Sequence, residues 1–322
     1  FQLHGDGEPV LFYYEDCGIR AMNVVMKRDI EKDKFFSGKI PEGVFFDIST
    51  PYGYGGFLIE GEITENSLKK LYNEYSSFCK INSIISEFAR LHPLLNNLSV
   101  LSSLYDISYL GNSISIELNS LNQIWHELTS QNRNKIRKAI ISSVEIYWGR
   151  DPKLFAEFKV LYNATMDKVK ATDYYYFQDS FYNSILTDLK NNALMFYAVY
   201  EGKIIAMSII LFSNQHMHYH LSASDINYQH LAPTNLLLYE AACWGCENGY
   251  KAFHLGGGLG GREDSLYKFK SAFNKNSNTR FAVGKKIFDE EKYQQLVIMR
   301  LTEAELDSGS GFFPVYRAPF LK

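Results

Sequence analysis

The chain has 322 residues, 46% of them hydrophobic and 21% charged, a composition that excludes a disordered or fibrous protein and fits two globular domains of ordinary size. Its net charge of -3 gives no global pull toward nucleic acid, so any phosphate contact has to come from a local basic patch. Four cysteines, Cys17, Cys79, Cys243 and Cys246, are too few and too unevenly spread for a disulfide scaffold and favour a reducing, cytoplasmic setting.

Strands and helices alternate along the chain. Val10 to Tyr14, Ile19 to Lys27 and Val44 to Ile48 read as strands, the last ended by Pro51. Thr64 precedes a helix through about Lys80, with Leu68, Leu71, Tyr72 and Tyr75 at helical spacing, and Ser83 to Leu91 returns as a strand. Tyr105 to Leu110 and Ser113 to Leu118 follow, divided by Gly111-Asn112, a hairpin signal. A single helix is expected from Leu121 to Ser142, with Arg133, Lys135, Arg137 and Lys138 crowding its later half. Arg133 and Arg137, spaced i, i+4, can together hold a phosphate or carboxylate, or simply complement the helix dipole.

The second half reads as a repeat of the first. A strand at Val144 to Trp148 leads into helices from Pro152 to about Lys170 and from Gln178 to Lys190. The apolar run Ala193 to Phe212 is broken at Glu201-Gly202-Lys203 and reads as two strands, not as an integral membrane segment. His216 to Ser222 is a strand, Pro233 opens a helix that ends before Gly249, and strand Lys251 to Leu255 runs into Gly256-Gly-Gly-Leu-Gly-Gly261.

Several motifs narrow the chemistry. Gly256, Gly258 and Gly261 have dinucleotide-fingerprint spacing, but no acidic residue ends a second strand about twenty residues on. Cys243 and Cys246 sit inside a helix, whereas a redox pair uses a helix N-terminus to lower its thiol pKa. His216, His218 and His220 alternate along a strand and share a face; packing or groove lining is favoured over metal, because no further ligand motif accompanies them. Neither G-x-S-x-G nor H-E-x-x-H is present.

Two glycine-rich stretches remain. In Asp47 to Gly56 a strand stops at a proline and turns through alternating tyrosine and glycine. Tyr52 and Tyr54 can stack on an extended substrate while Gly53, Gly55 and Gly56 expose backbone, or the stretch is a tight turn between strands. In Leu266 to Phe273 a lysine lies just past the glycine run. A cation beside free N–H groups suits a developing oxyanion or a phosphate, though a solvated basic helix has the same composition.

The chain resembles the FemABX-type branch of the GNAT acyltransferase superfamily, the peptidoglycan bridge aminoacyltransferases and their relatives. The matching stretches are DISTPYGYGG (Asp47 to Gly56), EFARLHPLLN (Glu87 to Asn96), WHELTSQNRNKIRKA (Trp125 to Ala139), LYNATMDKVKATDYYYF (Leu161 to Phe177) and YHLSASD (Tyr219 to Asp225). The longest runs from Leu231 to Phe273, through APTNLLLYEA, NGYKAFHLGGG and LYKFKSAF. The resemblance implies an α/β (α+β) fold of two tandem GNAT-like domains, each a mixed, mostly antiparallel sheet flanked by helices, with a groove between them. Residues 1–143 would form the first domain and 144–299 the second, with about 300–322 returning to the first.

It also implies transfer of an aminoacyl or acyl group to an amine of a cell-wall or surface-glycan precursor. No cofactor is tightly bound, and the donor is either aminoacyl-tRNA or acyl-CoA. The Phe-Lys pair of the family falls on Phe269-Lys270, with Lys270 expected to stabilise the reacting carbonyl or a nearby phosphate. Tyr52, Gly53, Tyr54, Gly55, Gly56, Arg90 and His92 would line the first-domain side of the site. Arg133 and Arg137 would hold anions, and His220, Asn235, Tyr239, Gly256 and Gly257 would face substrate from the second domain. The proton acceptor is left open between Asp225, Glu240 and His220. Two departures bear on the donor: no charged heptad arm is present, and the acetyl-CoA signature Q/R-x-x-G-x-G/A is not recognisable. A non-catalytic glycan or peptide binder stays as the alternative in another class.

Overall fold

A computed structural model describes residues 7–95, 97–302 and 311–319; Asn96 of the matched stretch, residues 303–310 and residues 320–322 lie outside them. In chain order the elements are β1 (Glu8–Asp16), β2 (Ile19–Asp29), β3 (Phe46–Ser49), β4 (Leu58–Gly61), α1 (Glu65–Ile81), β5 (Ile84–Arg90), α2 (Leu98–Leu101), β6 (Asp106–Asn112) and β7 (Ile114–Glu117). Then come α3 (Leu121–Glu127), α4 (Ser130–Ile141), β8 (Glu145–Gly149), α5 (Pro152–Lys168), α6 (Asp179–Thr187), β9 (Ala193–Tyr200), β10 (Lys203–Ser213) and β11 (His216–Ser224). The chain closes with α7 (Pro233–Glu247), β12 (Ala252–Gly256), α8 (Ser265–Ser271), β13 (Arg280–Ile287) and α9 (Glu290–Leu301). No helix among the described residues is long and apolar enough to cross a membrane.

The chain forms two compact units, Phe1–Leu110 with Phe281–Lys322 and Gly111–Arg280. These divisions fall earlier than the 143/144 and 299/300 boundaries read from the sequence. The reason is packing: Ile116, Ile124, Ile136 and Ala139 bury themselves in the core of the second unit, and β13 pairs antiparallel with β5.

The first unit is built on a seven-stranded sheet in the order β1-β2-β3-β5-β13-β6, with β4 on β2. β1 with β2, β2 with β3 and β4, and β5 with β13 pair antiparallel, while β3 and β5 run parallel. One face is covered by α1, whose Leu71, Tyr75 and Cys79 recur every fourth residue and are fully buried. Thr64 starts this helix with a capping box to Ser67. The other face carries α9 and Tyr316, packed with Ile30, Phe36 and Ile85.

The second unit has a six-stranded sheet in the order β7-β12-β11-β10-β9-β8, mixed and mostly antiparallel, with β11 and β12 as its parallel pair. α3, α4 and α7 cover one face and α5 and α6 the other. The two units share a plan: three antiparallel strands, a helix, then a strand parallel to the third, realised as β1-β2-β3-α1-β5 and as β9-β10-β11-α7-β12.

Two local expectations are corrected. Gly111-Asn112 makes no hairpin, because β6 belongs to the first sheet and β7 to the second. The single helix expected from Leu121 to Ser142 is two, since Leu128 has extended backbone (φ -58°, ψ 142°) and Thr129 caps α4 through the Asn132 N–H.

Candidate functional site

The site candidate in the second unit grows from its parallel strand pair. β11 and β12 are paired only from His216–Ala252 to His218–His254, yet β11 runs on to Ser224 and β12 to Gly256. The strands therefore part beyond His218. The pairing of β11 with β10 also shifts there: Ile209 opposes Leu221 and Ile210 opposes Tyr219, so His220 is an extra residue. This bulge breaks the strict alternation expected of His216, His218 and His220; the His220 ring lies 6.2 Å from Phe181, and His218 lies 5.5 Å from His254.

Beyond β12 the glycine run is tied to α8 by Asp264. One carboxylate oxygen caps the helix by accepting the Tyr267 N–H at 2.9 Å, and the other accepts the Leu259 N–H at 3.0 Å. Asp264 is held below the usual carboxylate range by these backbone hydrogen bonds. α8 in turn aims Lys270 back at the strand end. Its Nζ donates to the Gly257 carbonyl at 2.8 Å and lies 5.9 Å from the Tyr219 ring centroid.

Lys270 is only 8% exposed. Burial pushes its ammonium down to about 8, with Asp264 acting in the opposite direction. Gly256 permits this approach: its φ is +80°, and a Cβ there would stand 3.2 Å from the Lys270 Nζ. Tyr219 is raised to about 12 by burial, offset in part by hydrogen bonding to Ser222 and Ser208; Ser208 Oγ itself donates to Ser222 Oγ at 2.9 Å. Near neutral pH the site thus offers a desolvated cation that gives one of its three hydrogen bonds to Gly257. Such a group can meet a carbonyl oxygen as charge builds on it.

The sequence-derived residues divide among roles. Lys270, Gly256 and Gly257 come together as described. Phe269 faces Phe273 at 5.5 Å and packs against the core. Arg133 donates to the Leu128 carbonyl at 2.6 Å and so caps the end of α3. Arg137 lies over the Trp125 ring, and Tyr239 meets the same ring edge-on at 5.3 Å. Asn235 is buried and donates to Asn132 at 2.7 Å, and Asn132 donates to the Ala272 carbonyl, so this pair fixes the start of α7 to α4 and the end of α8. Asp225 is ion-paired with Lys203 at 2.8 Å, and Glu240 is raised by burial. The Cys243 thiol is pushed up to about 12 by burial, the opposite of a redox cysteine.

In the first unit Tyr52 to Gly56, Arg90 and His92 do gather. Tyr54 lies 5.6 Å from the His92 ring and 5.8 Å from Phe281, and burial raises its hydroxyl to about 12. With Met22, Val24 and Leu58, Tyr54 and His92 line a cavity of about 220 Å³. Here the parallel pair stays closed: the Gly55 N–H donates to the Arg90 carbonyl at 2.8 Å, and Gly55 bridges Leu91. Tyr52 is partly exposed, Gly53 has a φ of +103°, and the Arg90 guanidinium lies over Phe88.

Sequence reasoning passed over Tyr219, Ser208 and Asp264. Asp264 had a usable signal, an aspartate directly before a helical run. Ser208 had none, because only the strand register brings it to Ser222.

Residues 130–270, which end on Lys270, match the acetyltransferase (GNAT) domain family. The chain is similar in fold to FemX, with a TM-score of 0.65 at 11% identity over 91% of each chain. It is also similar to L-PGS from Bacillus licheniformis, with a TM-score of 0.56 at 13% identity over 93% of this chain and 90% of that one. No curated protein matches it by sequence. Residues 130–270 therefore carry an acetyltransferase (GNAT) domain, within a chain whose fold is like that of FemX.

Proposed function

We propose that this acyltransferase passes an aminoacyl or acyl group from an activated donor to an amine of a cell-wall or surface-glycan precursor, with Lys270 at the reacting carbonyl. The observation that carries the reading is the desolvated Lys270 ammonium at the end of β12, beside strands that have parted. A neutral amine needs no protein nucleophile. It attacks the donor carbonyl, a C–N bond forms, and the C–O or C–S bond to the leaving group breaks. The amine proton ends on the leaving oxygen or sulfur. Alignment and a cation for the transient oxyanion are the protein's contributions.

A thioester donor is the second reading, and the parted strands favour it. β11 past His218 offers backbone to an extended, amide-bearing arm lying along it as a strand would. The test is to incubate the protein with acyl-CoA or aminoacyl-tRNA donors and amine-bearing nucleotide sugars, following acceptor mass. An acceptor mass gain with thioester alone selects the second reading, a gain with aminoacyl-tRNA alone the first. Equal turnover by Lys270→Met would remove Lys270 from the chemistry.

A further inference from the structure

A groove on the other side of the second sheet shares with the residues described above only the Lys203–Asp225 ion pair. It encloses about 500 Å³ between α5, the start of β10 and the segment after β11, and its walls include Val160, Leu161, Ala164, Ile204, Met207 and Ile226. Val160 is 73% exposed and Ile226 57% exposed, so two aliphatic side chains on facing walls stand open to solvent. The polar groups at its edge are few. Lys203 and Asp225 neutralise each other at 2.8 Å, and Thr165 turns its hydroxyl back to the Leu161 carbonyl. Glu157 and Lys168 mark the two ends, and Lys168 makes no ion pair among the described residues.

Topology places this groove relative to the reacting centre. Ala206 near the start of β10 pairs with Ser224 at the end of β11, and β12 runs parallel to β11. The groove and the Gly256–Lys270 site therefore open at the same edge of one sheet. One to two strand spacings, about 5–10 Å, separate β10–β11 from the gap beside β12. α5 leads to that edge as well, because it starts after Gly149, which pairs with Met195 at the opposite edge. Its Lys168 end is then nearest the site, and the eleven residues back to Glu157 give an apolar trough about 16 Å long.

We propose that this groove is a subsite for an aliphatic chain, and that the acyl group transferred is a medium or long fatty acyl group rather than acetyl. The statement about the acyl group rests on the acyltransferase reading above; the subsite does not. Between its charged ends the groove is walled mostly by hydrocarbon, and its Lys203–Asp225 pair neutralises itself, which suits a chain without charge along its length. Lys168, at the end nearest the site, suits the anionic head that a fatty acid or a phosphate-bearing thioester donor presents there, and Glu157 stands at the far end.

The experiment has two arms on the full chain. Dansyl-undecanoic acid is titrated by fluorescence, with dodecanoyl-CoA as competitor, into wild type, Ala164→Trp and Val160→Glu. Val160 is exposed, so its variant should keep the fold, which circular dichroism checks. Saturable, competed binding weakened by about tenfold or more in both variants is expected. Absent binding, or binding equal in all three proteins, overturns the subsite. In the second arm kcat/KM is compared for acetyl-, octanoyl- and dodecanoyl-CoA with one amine acceptor. The longer chains should be preferred, and Ala164→Trp should reverse that order; a preference for acetyl overturns the assignment of the acyl group. Probe binding without transfer from any donor would remove the acyltransferase reading and leave the subsite standing.

Discussion

Lys270 is the residue on which most depends, and its environment sets a pH profile. Because burial brings its ammonium down to about 8, the cation is present at neutral pH and is lost as pH rises through that value. If it stabilises the oxyanion, kcat/KM should fall above about pH 8. Lys270→Met, which keeps length but not charge, should lower kcat by about a hundredfold and abolish that limb. Steady-state rates between pH 6 and 9.5 test both. A second residue-scale test is Gly256→Ala. The positive φ makes an L side chain cost about 1–2 kcal/mol, and the new methyl, 3.2 Å from Nζ, displaces the amine. Activity should drop about tenfold or more, while the urea midpoint falls by no more than that backbone cost accounts for.

The elements were legible where their pattern is local. Thr64 and the fourfold spacing of Leu71, Tyr75 and Cys79 announce α1, and Pro233 announces α7. What failed was sheet membership, which no local pattern carries. Gly111 is not a turn glycine: a Cβ on it would stand 2.0 Å from the Gly261 carbonyl, so close backbone approach accounts for it. The same limit hid β13 and its Lys286. That side chain is buried, with its Nζ 3.7 Å from the Tyr72 ring centroid, and it lies in register with Glu87. Glu87 accepts from Asn23, Tyr75 and Tyr105 at 2.9 Å each, and burial raises its carboxyl. Burial likewise brings Lys286 down to about 8 from an ordinary 10.5. The folded chain then binds fewer protons than the unfolded one between those values, so this group makes stability rise with pH across that window. Lys286→Met should remove the slope. Urea unfolding at pH 7 and pH 9.5 measures it; equal slopes in both proteins would exclude the assignment.

At the scale of the molecule, both ends of the chain belong to one unit. Asp47, fully buried on β3, accepts from Arg28 Nε at 2.7 Å, Tyr316 OH at 3.0 Å and Arg317 Nε at 2.5 Å, so residues 311–319 are pinned to the sheet that β1 begins. Arg317→Ala leaves a buried carboxylate short of a cation and should cost about 3 kcal/mol or more, seen as a lower melting temperature. The resemblance read from sequence, resting on motifs in order along the chain, anticipated two α/β units with mixed sheets. It did not anticipate where one unit interrupts the other, because that depends on pairings across more than 190 residues, such as Ser86 with Ile287.

That interruption dictates an order of events on the ribosome. Gly111–Arg280 leaves the exit tunnel as a finished folding unit, whereas the first 110 residues lack β13, which sits between β5 and β6 in their sheet. Domains fold as units once their residues are available. The sheet begun by β1 is therefore completed only after the inserted unit, and until Ile287 emerges β5 keeps an open edge.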